Sequence, residues 1–182
     1  MKTFAHPRQL VDNPCFESDR KRALKNLVLD EIDAPIRDII DDLSTLPYCF
    51  TLQSCFGHFV HVKAQAVENL DPLPSNDIGS VAYRIAYVAL CLQNSPSGER
   101  LLSALARIPS VAPGFVQFGS PGWFWERQVN SFALQVEPLR FAHQDQAVID
   151  HGEALQIQSV RDQFFASFGD LVKSLHNEGV TA

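Results

Sequence analysis

Positive charge is in short supply in this sequence. Fifteen Lys and Arg stand against 21 Asp and Glu, a formal net charge of −6. Broad binding to nucleic acid needs clustered cations that neutralise phosphate, so tRNA is disfavoured as a partner. The dense run Arg20-Lys21-Arg22 with Lys25 reads as a solvated helix face. Long apolar runs are also missing. No stretch approaches about 18 consecutive apolar residues, which excludes a helical membrane span. The opening Met1-Lys2-Thr3-Phe4-Ala5-His6-Pro7 has no apolar stretch of signal length, so a cytoplasmic address is expected. Cysteine is sparse. Cys15, Cys49, Cys55 and Cys91 form no Cys-x-x-Cys pair, which excludes a disulfide scaffold and predicts free thiols. Neither a dinucleotide glycine fingerprint nor a phosphate-binding loop is found.

What is present suits a globular domain. A 46% hydrophobic and 20% charged composition over 182 residues supports a real core, and 13 Phe predict an aromatic core or cleft. We expect one α+β domain over residues 1–182. It has an irregular arm (1–17), a core (18–146) and a helical C-terminal segment (147–182). The sheet is central and mostly antiparallel, with flanking helices and a long C-terminal helix.

Ser18 can cap a first helix running to about Leu29. Asp33 is a plausible cap for a second, with Pro35 in its first turn and Ile36, Ile39, Ile40 and Leu43 on one face. Tyr48 to Phe56 reads as a strand, Gly57 as a bend and Phe59 to Val62 as a second strand segment. Residues 69–79 form a loop. Val81 to Leu92 reads as one central strand. A helix from about Gly98 to Arg107 follows, then a meander of Gly114–Phe118, Trp123–Gln128 and Ser131–Glu137. Gly119 and Gly122 are candidates for positive φ at its turns. Val160, Phe164, Phe165, Phe168, Leu171, Val172 and Leu175 mark the buried face of the last helix.

Ser54-Cys55-Phe56-Gly57-His58 is the first candidate site. Gly57 allows a bend or a close ligand approach, and Ser54 with nearby backbone N–H groups could take an anion; the bland reading is a strand end with a buried thiol. Cys55 as a nucleophile would need a lowered pKa, and no Asp or Asn partner is assignable. Cys55, His58 and His61, with His143 further on, match no standard zinc spacing. In an extended strand His58 would face away from the other two unless Gly57 bends, so no metal is expected. Trp123, Phe124 and Trp125 offer stacking surface for a base, or for a dimer contact.

From Leu29 to His58 the chain carries Leu-Asp-Glu-Ile-Asp-Ala-Pro-Ile-Arg-Asp-Ile-Ile-Asp-Asp-Leu, a linker, and then Tyr-Cys-Phe-Thr-Leu-Gln-Ser-Cys-Phe-Gly-His. This resembles the wybutosine-synthesis family of tRNA methyltransferases, the one acting on 4-demethylwyosine. That family has an Asp-Glu helix, a short link and Phe-Thr-Thr-Ser-Ser-Cys-(small)-Gly-Arg. A second echo is Phe132-Ala133-Leu134-Gln135-Val136-Glu137-Pro138 followed by His143. The resemblance covers roughly Leu29 to Gln146, with an insertion around Ser110 to Gln128. It implies S-adenosylmethionine as cofactor and a nucleotide-like or amine-bearing substrate. Ser54, Cys55, Gly57 and His58 would bind the ligand, and Glu137 and His143 would handle the proton. Here the paired Ser is Gln53-Ser54, the small residue is Phe56 and the Arg is His58, which removes a permanent cation and a planar donor fork. The alternative is a non-catalytic ligand-binding or homodimeric interaction domain that keeps the fold.

Overall fold

The computed structural model describes residues 6–62, 69–141 and 145–180, with side chains to 177. Helix α1 (Phe16–Asn26) begins two residues before the expected Ser18 cap. Cys15 takes the cap position, and the Ser18 hydroxyl donates to its carbonyl at 2.8 Å. Arg20 does not belong to a merely solvated face: its guanidinium donates to the carbonyls of Ser44, Leu46 and Cys49. It thereby satisfies chain ends that the next helix leaves open.

That helix, α2 (Arg37–Thr45), follows two 3-10 turns, Leu29–Glu31 and Ala34–Ile36. Ile36, Ile40 and Leu43 are buried as the spacing predicts, and Ile39 packs beside them. Asp33 precedes the turn but makes no side-chain cap bond. Its carboxylate accepts instead from the Phe56 N–H at 2.7 Å.

The strands form two antiparallel sheets. One has the order β1-β4-β6-β5, with β1 Cys49–Cys55, β4 Ala86–Leu92, β6 Ser131–Val136 and β5 Val116–Gly119. The other has the order β2-β3-β7, with β2 His58–His61, β3 Ser80–Arg84 and β7 Gln146–Asp150. The expected single strand Val81 to Leu92 is therefore two strands in different sheets. The break falls at Ile85, whose N–H donates to the Asp145 carbonyl. No Gly or Pro marks it, because both halves are buried and the apolar run continues through the crossover. Tyr83 holds the crossover from below: its hydroxyl donates to the Val136 carbonyl (2.9 Å) and accepts from the Ala86 N–H (3.0 Å).

The middle piece of the expected meander is also different. Trp123 to Gln128 is not a strand; α4 (Gly122–Arg127) occupies it. β-Propensity of the Trp-Phe-Trp run loses to packing, since the helix lays Phe124 on the sheet beside Ala89 and Ala133. Positive φ occurs at Gly57, Gly79, Gly114 and Asn130, not at Gly119 or Gly122. Asn130 is buried, and its side chain exchanges two hydrogen bonds with the Val11 backbone, which pins the N-terminal arm. Helix α3 (Pro96–Leu105) starts at the Ser95 cap. The C-terminal segment is not helical throughout: its first residues belong to β7, and α5 (His151–Val180) follows. Ile157, Phe164, Phe165, Phe168 and Val172 of α5 are buried in a cluster that also takes in residues of both sheets. Among the described residues, no helix is long and apolar enough to cross a membrane.

Cys49 and Cys91 are fully buried, and burial pushes both thiols up to about 12. An unfolded thiol titrates near 8.5. The folded state thus holds these protons more tightly, and stability falls as pH rises from about 8.5 towards 12. Between pH 8 and 10 each thiol should cost about 2 kcal/mol. Urea unfolding of Cys49→Ala with Cys91→Ala should show a correspondingly smaller alkaline loss than the parent; identical losses would show that these thiols do not set it.

Candidate functional site

The chain passes between the sheets at three places that lie together. β1 leads to β2 through Phe56 and Gly57, β3 leads to β4 through Ile85, and β6 leads on to β7. The first two crossovers touch: a Cβ built on Gly57 would lie 2.7 Å from the Ala86 Cβ. Only a residue without a side chain fits there, and its φ of +85° also favours glycine. Strand ends from both sheets meet at this seam, Cys55 and His58 flank the first crossover, and Glu137 follows β6.

At the seam lies a cavity of about 430 Å³. Register builds its floor. Cys55 pairs with Tyr87, Tyr87 with Gln135, and Gln135 with Gln117, a row across all four strands whose first three members line the cavity. Glu137, two residues beyond Gln135, is 2% exposed. Its carboxylate accepts from the Gln135 amide, its N–H donates to the Phe115 carbonyl, and its carbonyl accepts from Gln117. Arg84 and Asp145 add charge of both signs to the lining, and Trp123 and Phe124 of α4 form an aromatic wall. Trp123 stacks on Phe124 yet stays 46% exposed. The helix, unforeseen from sequence, is what turns these rings towards the cavity.

A second depression is lined by Asp33, Phe56, His58, Asp71 and Arg161. His58 Nε2 is 3.5 Å from Asp33 Oδ2. The ring therefore already has a carboxylate neighbour, which lowers its value as an anion holder. Arg161 of α5 is buried and donates to the Gly57 carbonyl, to both Asp71 oxygens and to Asp162. Sequence reasoning missed it: its one signal was a charge on the apolar stripe of the last helix, next to Val160.

The expected site residues are thus divided. Cys55 and Glu137 line the cavity; His58 lines the second depression; Ser54 lines a third, along the outer edge of β1 beside α1. Gly57 lies between Cys55 and His58 in the chain and lines none of the three. His143 lies outside the described residues. Burial raises the Cys55 thiol above its ordinary range, the Gly57 N–H opposes this, and Asp33 adds to it. A thiol held protonated is a poor nucleophile at neutral pH.

The chain is similar in fold to the PH1069 protein from Pyrococcus horikoshii OT3. The two align over 90% of this chain and 96% of that one, with 13% identity and a TM-score of 0.52. A hypothetical protein from Aeropyrum pernix aligns over 79% of this chain and 98% of its own, with 11% identity and a TM-score of 0.45. No family model matches the chain, and no curated protein matches it at a significant level. At such identities the likeness concerns the fold, and activity has to be argued from the seam itself.

There the chemistry is uneven. The cavity combines an apolar stacking wall with a few convergent polar groups, the usual makeup of a small-molecule site. In the depression beside it Arg161 has nothing left to offer: a guanidinium has five N–H donors, and all five are taken by protein oxygens. Arg161 therefore holds structure, while the cavity offers groups to a ligand.

Proposed function

We propose that this chain is a divergent relative of the wybutosine-synthesis methyltransferases, which binds S-adenosylmethionine in the seam cavity and serves a nucleotide-like or amine-bearing acceptor. The observation that carries the reading is a buried carboxylate, Glu137, set among Gln135, Tyr87 and an aromatic wall in a space of about 430 Å³. That volume lies in the range of small-molecule sites, roughly 300–1,000 Å³. The lining suits the cofactor's parts. Trp123 offers a face for a purine, Arg84 a partner for a carboxylate, and Glu137 and Asp145 negative charge for its cationic centres. Bound S-adenosylmethionine supplies an electrophilic methyl group. The chain's own work is to align the acceptor, keep water out and receive the proton at the Glu137 carboxylate. The net charge of −6 favours a small acceptor over tRNA.

Isothermal titration with S-adenosylmethionine is the direct test. Binding should be accompanied by a change in Trp123 fluorescence that disappears in Trp123→Phe. Glu137→Gln should weaken affinity about 10- to 100-fold, the usual effect of losing a charge-assisted contact. No heat at high protein concentration would sink the cofactor assignment. The division of Ser54, His58 and Glu137 among three depressions favours a second reading, a non-catalytic ligand-binding or homodimeric domain. Binding without methyl transfer to any amine-bearing nucleoside, or a dimeric mass in light scattering, would support it.

A further inference from the structure

We propose that Asp33, Cys55 and His58 form a binding site for a single divalent cation of borderline softness, with zinc the best match. The three come from separate pieces of chain: Asp33 lies between two 3-10 turns, Cys55 ends β1 and His58 opens β2. Their ligand atoms, a carboxylate oxygen, Sγ and a ring nitrogen, all lie within 4.8 Å of one another. Around a tetrahedral zinc ion, with bonds of about 2.0–2.3 Å, neighbouring ligand atoms sit about 3.3–3.8 Å apart. His58 Nε2 and Asp33 Oδ2, at 3.5 Å, are already at that spacing. The sulfur needs a movement of no more than about 1 Å to join them.

Strand alternation would have sent Cys55 and His58 to opposite faces. The left-handed bend at Gly57 reverses this and turns both towards Asp33. The bend is held firmly, since the Gly57 carbonyl accepts from buried Arg161 at 3.1 Å. Backbone donors support the two anionic ligands: the Phe56 N–H donates to Asp33 Oδ2 at 2.7 Å, and the Gly57 N–H to Cys55 Sγ at 3.4 Å. Outer contacts of this kind orient metal ligands and stabilise their charged forms.

The donor set selects the ion. One sulfur and one imidazole nitrogen argue against magnesium and calcium, which take oxygen ligands. A thiolate and a carboxylate together carry two negative charges, which balance a dication. Three protein ligands leave a coordination position for water or a ligand, as in catalytic rather than structural zinc sites. Asp33 and His58 are about a quarter exposed, at 28% and 27%, so an ion can enter. Binding forms a sulfur–metal bond at Cys55 and releases the thiol proton to solvent; no oxidant or reductant is involved.

The test uses the 182-residue chain carrying Cys15→Ser, which removes the exposed thiol. It is stripped with a chelator under reducing conditions and titrated with cobalt(II), then zinc(II). One equivalent of cobalt should give a near-ultraviolet thiolate-to-metal charge-transfer band and the visible bands of a four-coordinate ion, and zinc should abolish both. Cys55→Ser should lose the charge-transfer band. His58→Ala should weaken zinc about 100-fold or more, and Asp33→Asn, which keeps the contact to Phe56, at least about tenfold. Should a variant fail to fold by circular dichroism, alkylation of the parent decides, because zinc should protect Cys55 and leave its reactivity unchanged only if the site does not exist. Absence of the charge-transfer band in the parent, or its survival in Cys55→Ser, overturns the proposal. Titration of the metal-free protein with S-adenosylmethionine reads the cavity separately, so either proposal can fail without the other.

Discussion

Arg161→Met is expected to lower the free energy of unfolding by about 3 kcal/mol, the lower end of what breaking a buried ion pair costs. Arg161 is 1% exposed, and each of its five N–H donors is used. The central carbon of the guanidinium also sits over the Phe56 ring, 3.9 Å from its centroid. It joins three otherwise separate pieces: α5, the loop at Asp71 and the crossover at Gly57. Removing it strands the Gly57 carbonyl and two carboxylates. Asp71 and Asp162 keep some access to water, at 17% and 52% exposure, which is why the loss stays near the lower end. For a domain of this size the midpoint should fall by roughly 6–12 °C. Arg161→Lys keeps the charge but loses the fork, and should recover less than about half of the loss. A change below about 1 kcal/mol in urea unfolding would show that the clamp is not what holds the seam.

Gly57→Ala should be as damaging, through two independent costs. Its φ of +85° strains any residue with a Cβ by about 1–3 kcal/mol. The added methyl would also meet Ala86 at 2.7 Å (Cβ), 2.9 Å (N) and 3.0 Å (Cα). Two of those atoms are backbone of β4, which cannot swing aside, and overpacking of this kind adds about 1–3 kcal/mol. Gly114→Ala is the control: it has the same φ, with nothing within 4 Å of the built Cβ, so it carries strain alone. Denaturant unfolding should therefore place Gly57→Ala at least about 1 kcal/mol below Gly114→Ala. Equal losses would mean that the contact with Ala86 relaxes without cost. Because Gly57 and Arg161 share a hydrogen bond, the double variant with Arg161→Met should lose less than the two single losses added.

Ligand affinity at the cavity and metal affinity at the Asp33–Cys55–His58 cluster meet at Cys55, which lines one and belongs to the other. A bound ion would hold Cys55 as a thiolate and change the charge on the cavity wall. Zinc should therefore alter the affinity of a cationic ligand in the cavity.

Much of the candidate site was legible in the amino-acid order because its signals are local. Gly57 in an aromatic strand announced a bend, and Glu137-Pro138 announced a strand end. Other features had no local signal. Asp33 looked like a helix cap because Asp before Ala-Pro is a common cap pattern, yet it bonds to Phe56, 23 residues away. Trp123 to Gln128 looked like a strand from its aromatic content, and packing on β4 and β6 made it a helix. The break at Ile85 was hidden in an unbroken apolar run, since hydrophobicity reports burial and not which sheet a strand joins.

By itself the sequence determined the α+β class, the helical stripes of α2 and α5, the strands around Cys55 and Val136, and, among the described residues, that no helix is long and apolar enough to cross a membrane. Those features follow from side-chain periodicity, caps and breakers, which act over a few residues. Tertiary structure alone decided that the strands divide into two sheets, that Arg161 is buried at the seam, and that Asp33 meets Cys55 and His58. The physical reason is distance along the chain: these contacts join residues between 22 and 104 positions apart, and such pairs are selected by packing and hydrogen-bond satisfaction in the assembled core, which no local pattern encodes.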